Sequence, residues 1–232
     1  MGPTIVGAGA GRFTAAQAEV LLQPVSSKFD NQRGFQFGST TTLNTIGMVL
    51  PQLLQFYFLQ SYNSISQEHK LFGASFRSLF GHRFVASTVW TMVTSLSVAG
   101  WTYAYHESYH MAAKNFVALW FSDWIFALIT FDLFDIFATL VPPPLLPLPV
   151  TTWLILSVAA TTTPIAMDYR FFRVHWFFPS HSVWLTQITI YSQGAANRLY
   201  QTLPILAAWF VVARLGAIAC IKKRQKDFRK KQ

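Results

Sequence analysis

The sequence predicts an all-α integral membrane protein. Five transmembrane helices are expected, with a re-entrant or interfacial helical segment before the last one. Three observations carry this. Only 12% of the 232 residues are charged, against about 25% in soluble domains. The charge is missing from long continuous apolar runs rather than thinned evenly, which is the membrane pattern. Finally, seven of the 18 lysines and arginines fall in the last eleven residues, directly after an apolar stretch long enough to cross a bilayer.

The elements follow in order. Residues 1–40 are mixed and Gly-rich, and are expected to form an extracytoplasmic N-terminal tail. They lack the charged, apolar and cleavage regions of a secretory signal. Met1-Gly2 opens no myristoylation motif, because Val6 stands where Ser or Thr is needed. Gly7-Ala8-Gly9-Ala10-Gly11 lacks the spacing and following lysine of a phosphate loop.

A polytopic membrane domain is expected over 41–221. Its first span, near 41–61, is the most polar and carries Pro51, Gln52 and Gln55. Residues 62–85 read as a polar connection with Lys70, Arg77 and Arg83. The second span, near 86–105, ends in the aromatics Trp101, Tyr103 and Tyr105, which suit a headgroup boundary. The third, near 116–141, stops at Pro142-Pro143-Pro144. The fourth, near 148–167, ends around Pro164. Residues 168–200 are aromatic and amphipathic, broken by Pro179, and 170–197 are expected to lie in or dip into the interface. The fifth span is near 202–221, and 222–232 form a basic tail.

The net charge of +9 is concentrated in that tail. A nucleic-acid-binding protein would need a basic face on a folded polar domain, so no nucleic-acid partner is expected. Anionic membrane headgroups are the expected counter-charge for Lys222, Lys223, Arg224, Lys226, Arg229, Lys230 and Lys231. A second copy of the chain or another membrane chain stays open as a further partner. With the tail cytoplasmic, five spans put the N-terminus outside. Ten positive residues then lie on the inner side and seven on the outer, in agreement with the positive-inside bias. One cysteine, Cys220, forbids an internal disulfide. Its place beside the basic tail permits S-acylation, though an inert apolar role is the plainer reading.

The third span holds Asp123, Asp132 and Asp135. Each central Asp costs about 2.5–3.5 kcal/mol to insert, while Leu, Ile, Phe and Val each return roughly 0.3–0.6. The fifteen such apolar residues between Phe116 and Val141 roughly cancel three aspartates. This helix should therefore need neighbours to hold it. Asp132 and Asp135 share a face. Arg214, inside the last span, and Asp135 both fall about 10 Å from the inner end of their helices. An intramembrane polar pair is expected between Arg214 and Asp135, or with Asp132 one turn higher. It would serve either as a polar element of a translocation path or as a lock between helices.

His106-Glu107-Ser108-Tyr109-His110 matches HExxH, a zinc-hydrolase pattern when it lies on a helix. Its place at a helix end in a short loop, with no third-ligand motif following, favours chance histidines. No metal, cofactor or catalytic residue is expected. Arg170, Arg173, Pro179 and His181 form a candidate outer gate, or else part of an aromatic belt. No nucleotide-binding, kinase or hydrolase motif is present, so any ATPase would be a separate chain.

Residues 157–212, SVAATTTPIAMDYRFFRVHWFFPSHSVWLTQITIYSQGAANRLYQTLPILAAWFVV, resemble the C-terminal membrane part of the fungal nitrosoguanidine-resistance family. The shared features are Pro164, Tyr169-Arg170, Pro179, His181 and Ile205-Leu206-Ala207-Ala208-Trp209. Leu22-Gln23-Pro24-Val25 and Asn31 to Phe35 look like that family's approach to its second span. Phe171 and Phe172 replace the family's glycine. Its first span and most of its extracytoplasmic domain have no counterpart, which makes a truncated member an expectation. The resemblance implies a layout like ABC-2-type permeases, with outer re-entrant helices. It also implies a plasma-membrane or endomembrane location and a role in toxicant resistance or lipid handling. A permease-like or export-associated protein is therefore expected first. A structural membrane protein organising lipids or partners comes second, and an intramembrane zinc hydrolase third.

Overall fold

The computed structural model describes residues 37–104, 112–162, 170–192 and 197–230. Among the described residues six α-helices follow in order: α1 Phe37–Glu68, α2 Phe76–Ala104, α3 Ala113–Leu140, α4 Pro147–Thr162, α5 Pro179–Tyr191 and α6 Leu199–Lys230. Short 3-10 turns cover Leu71–Gly73 and Pro143–Leu145, and a longer one covers Arg170–Phe177. No strand occurs among the described residues.

Among the described residues, four segments are long and apolar enough to cross a membrane: α2, α3, Pro143–Thr161 and α6. The expected count of five is not reached. α1 has the length, 32 residues, but Gln52, Gln55, Gln60 and Asn63 dilute its apolar character. A second expectation is corrected here. Residues 62–85 are not a polar connection, because α1 runs on to Glu68 and α2 starts at Phe76. Leu79, Arg83 and Ser87 repeat at helical spacing and are buried along one face of α2. Only 69–75 link the two helices, and Lys70 takes a left-handed φ of 50° within that turn.

α3 is the axis of the bundle. Its apolar window is 61% buried, against 28–33% for the other three candidates. It packs against α1, α2, α5 and α6. Its faces feed distinct clusters. Phe126 and Ile129 meet Met48, Val183, Leu206 and Ala213. Phe131 and Phe134 meet Leu59, Leu146 and Val150. At the N-terminal end of α3, Leu119 and Phe116 meet Ala99, Ile190 and Tyr191. α6 approaches α3 closely at Gly216, where a Cβ would stand 2.7 Å from Ile136 Cδ1. Small residues permit such approaches between apolar helices.

The 69–75 turn lies at the basic end of α6. Gln225 Nε2 donates to the Ala74 carbonyl at 2.8 Å, and the Phe72 and Phe228 rings are 6.5 Å apart. The opposite, far end gathers the end of α5 and the start of α6. Thr186 Oγ1 there donates to Thr202 Oγ1 at 3.1 Å.

α5 does not begin at either end. Trp209 Nε1 donates to the Phe177 carbonyl at 2.6 Å, and the Phe178 ring lies 5.3 Å from that of Trp153. Trp209 is ten residues into α6, about 15 Å below its start at 1.5 Å per residue. α5 therefore starts part-way along the bundle and runs to the far end. Pro179 at its first turn leaves no amide to satisfy there.

Candidate functional site

The site is built where α3 turns Asp132 and Asp135 toward the basic end of the bundle. Their spacing of three places both on one face. Asp135 is fully buried, and two guanidinium groups meet it. Arg83 of α2 donates from Nε to Oδ2 at 3.0 Å and also pairs through Nη2 with Oδ1. Arg224 of α6 brings Nη2 within 2.8 Å of Oδ1, and the same nitrogen donates to the Asp135 carbonyl at 2.9 Å. Asn63 of α1 completes the node. Its Oδ1 accepts from Arg83 Nη1 and Nη2 at 3.3 and 3.2 Å, and from Arg224 Nη1 at 3.3 Å. Arg83 also lies 4.9 Å from the centre of the Tyr62 ring. Four helices thus converge on one carboxylate whose two oxygens are both occupied. A buried carboxylate held this way is strongly favoured over one with a partner removed.

Asp132 is different. Arg214 Nε lies 3.1 Å from Asp132 Oδ2, yet neither atom makes an aligned hydrogen bond. The contact is a charge approach without hydrogen-bond geometry. Arg214 is steadied instead by ring faces, with its guanidinium carbon 5.0 Å from the centre of Phe84 and 5.6 Å from that of Phe210. A cleft with a void of about 10 Å³ opens beside the pair, between α2 and α6 with α3 as its floor. Arg83, Asp132, Asp135 and Arg214 contribute its polar wall, and Phe80, Phe84 and Ile218 its apolar walls. The void is about the size of one water.

Of the two pairings expected for Arg214, the structure places it at Asp132; Asp135 is held by Arg83 and Arg224 instead. Arg83 is not among the expected site residues, because its polar neighbours resemble a connection between spans. Arg224 is not lipid-facing as expected, because α6 continues past Ile221 and the helical turn swings this basic residue inward. Lys223, Lys226, Arg229 and Lys230 are exposed. Lys222 is also exposed and lies 5.4 Å from the centre of the Phe76 ring. Lys231 lies outside the described residues.

The residues of the candidate outer gate separate. Arg170 and Arg173 are exposed, while Pro179 and His181 are buried. His181 Nδ1 donates to the Ala160 carbonyl at 2.9 Å, tying α5 to α4. Asp123, near the far end, accepts from Gln187 Nε2 at 2.8 Å. Cys220 is buried, which opposes acylation. His106, Glu107 and His110 lie outside the described residues. Among the described residues no group of three or more His, Cys, Asp or Glu side chains could hold a metal.

An all-helical bundle among the described residues, with four apolar helices of spanning length, suggests an integral membrane protein. Within that class, a family model described as "Protein of unknown function (DUF3533)" matches residues 2–215, and the chain belongs to that family. The description names neither nitrosoguanidine resistance nor a permease. No curated protein and no solved structure matches the chain.

Proposed function

We propose that this protein is a multi-pass, permease-like or export-associated membrane protein with its basic end in the cytoplasm. One observation carries the reading. Arg83, Asp132, Asp135, Arg214 and Arg224 gather from three apolar helices onto one cleft and its floor. Ionisable groups at such depth are costly and mark substrate or ion routes by default. α5 supports the same reading. A helix that starts part-way along the bundle, with Ser180, His181, Ser182, Thr186 and Gln187 buried, resembles the interrupted helices that line transport sites.

The two carboxylates take different parts. Asp135, saturated by two arginines that also donate to Asn63, holds α1, α2, α3 and α6 together. Asp132, with its misaligned arginine beside a void, is the exchangeable member. The tail lysines meet anionic headgroups. The protection conferred is against toxic compounds or imbalanced lipid, in a plasma or internal membrane, as the resemblance implies.

A structural role, organising lipids or partner chains, is favoured by the Asp135 node alone. The two readings part in one experiment. Cells lacking the gene are challenged with a panel of toxicants and complemented with wild type, Asp132→Asn or Arg214→Gln. The transport reading expects both variants to reach the membrane and to lose protection. Full protection by both would leave only the structural role.

A further inference from the structure

Arg214 is a guanidinium with five N–H donors, held at depth by ring faces and one misaligned carboxylate. Its Nε makes no hydrogen bond, and among the described residues its terminal nitrogens have no hydrogen-bond acceptor. The side chain is 16% exposed, toward the cleft between α2 and α6. Its neighbour Arg83 has the opposite character, with its N–H groups committed to Asp135 and Asn63. A partly exposed fork of donors at the edge of a cleft is the feature that planar recognition of carboxylate or phosphate uses.

The charge of the cluster points the same way. Three arginines face two aspartates, and Asp135 is already saturated. The one excess positive charge lies at the Asp135 node, where two arginines share a carboxylate, close to Arg214, whose own counter-charge is Asp132 at 3.1 Å. The cleft leading to it is walled by Phe80, Phe84, Phe131, Ala217, Ile218 and Ile221. A small hydrophilic anion gains nothing from such walls. Phe84 lies against Arg214 and is 42% exposed, so its ring has room to swing outward.

We infer that the α2–α6 cleft is a binding site for an amphiphilic oxyanion, a carboxylate or phosphate on an apolar body taken from the bilayer. The two oxygens meet the Arg214 fork in place of Asp132, and the apolar body lies along the phenylalanine and isoleucine walls. Asp132 is the internal competitor that occupies Arg214 when the cleft is empty. The void admits about one water as it stands, so Phe84 moves out when the ligand enters. This site rests on the permease-like reading for its purpose but not for its chemistry.

The test uses the full chain in neutral detergent, with thermal unfolding followed against concentration of dodecyl phosphate. Dodecanol and inorganic phosphate serve as separate arms. Dodecyl phosphate is expected to raise the midpoint saturably, with at least 10-fold weaker action on Arg214→Gln. Ala217→Leu, which fills the cleft and leaves Arg214 in place, is expected to lose the same response. Asp132→Asn, which removes the competitor, is expected to bind several-fold more tightly. An equal response from Arg214→Gln and Ala217→Leu overturns the site. So does an equal response of the wild type to dodecanol or to inorganic phosphate. Binding with no protection phenotype in cells would sink the transport reading and keep the site; protection without binding would do the reverse.

Discussion

Arg224 reaches back from beyond the last apolar turn of α6 to set its Nη2 2.8 Å from Asp135 Oδ1, a partner 89 residues earlier in the chain. The contact ties the basic end of the last helix to the central one. It also shares its carboxylate with Arg83, so one acid closes two interfaces.

Removing that acid should be severe. Asp135→Ala leaves Arg83 buried without a counter-charge and should cost about 3–5 kcal/mol. Arg224→Gln leaves the Arg83 pair intact and should cost less, about 1.5–3 kcal/mol for a lost charged hydrogen bond. Equilibrium unfolding in mixed micelles gives the order. Equal costs would mean that Arg83 alone does not secure Asp135.

Replacing the whole node should be milder than breaking it. The triple variant Arg83→Met, Asp135→Leu, Arg224→Met removes every charge at once. It should recover most of the stability lost in Asp135→Ala, because apolar groups of similar volume often equal a buried ion pair. A triple variant as unstable as the single one would show that the node does more than hold helices.

The α3–α6 approach at Gly216 can be tested by size. A Cβ there meets the mobile end of Ile136, so Gly216→Ala should be tolerated within about 1 kcal/mol. Gly216→Leu should cost about 1–3 kcal/mol through overpacking. Restoration of Gly216→Leu by Ile136→Ala would locate the clash.

Gln187 is the donor that α5 offers to Asp123 at 2.8 Å. Gln187→Leu should destabilise by about 1–3 kcal/mol, the cost of leaving a buried hydrogen-bonding group unsatisfied. It should also speed protease cleavage next to α5. Unchanged cleavage and stability would mean that α5 docks through Val183 and its apolar neighbours alone.

Much of this bundle was legible. Long apolar runs gave α2, α3, α4 and α6, and Pro179 marked a break in the 168–200 segment, where α5 begins. The Asp132–Asp135 spacing gave the polar face of α3. Arg83 was not legible by hydropathy, because a charge near the end of a span looks like part of a connection. Its signal was periodicity: Arg83, Ser87, Thr91, Ser95 and Thr102 fall on one helical face and are all buried. Arg224 carried no such signal. Seven basic residues in a row of eleven read as one solvated block, and only the helical phase of α6 separates the inward one. The fifth expected span is not confirmed at α1, where glutamines sit inside a helix long enough to cross. Gln55 Nε2 donates there to Thr94 Oγ1 at 3.0 Å, a tertiary contact that composition does not reveal.

The central claim is that Asp132, not Asp135, is the exchangeable acid of a transport route. Its most direct test is toxicant protection by Asp132→Asn in cells that lack the gene, with membrane abundance measured in the same cells. The account predicts loss of protection per molecule of membrane-resident protein, even after any fall in abundance from the lost Arg214 counter-charge is corrected for. Protection equal to wild type at equal abundance would contradict it.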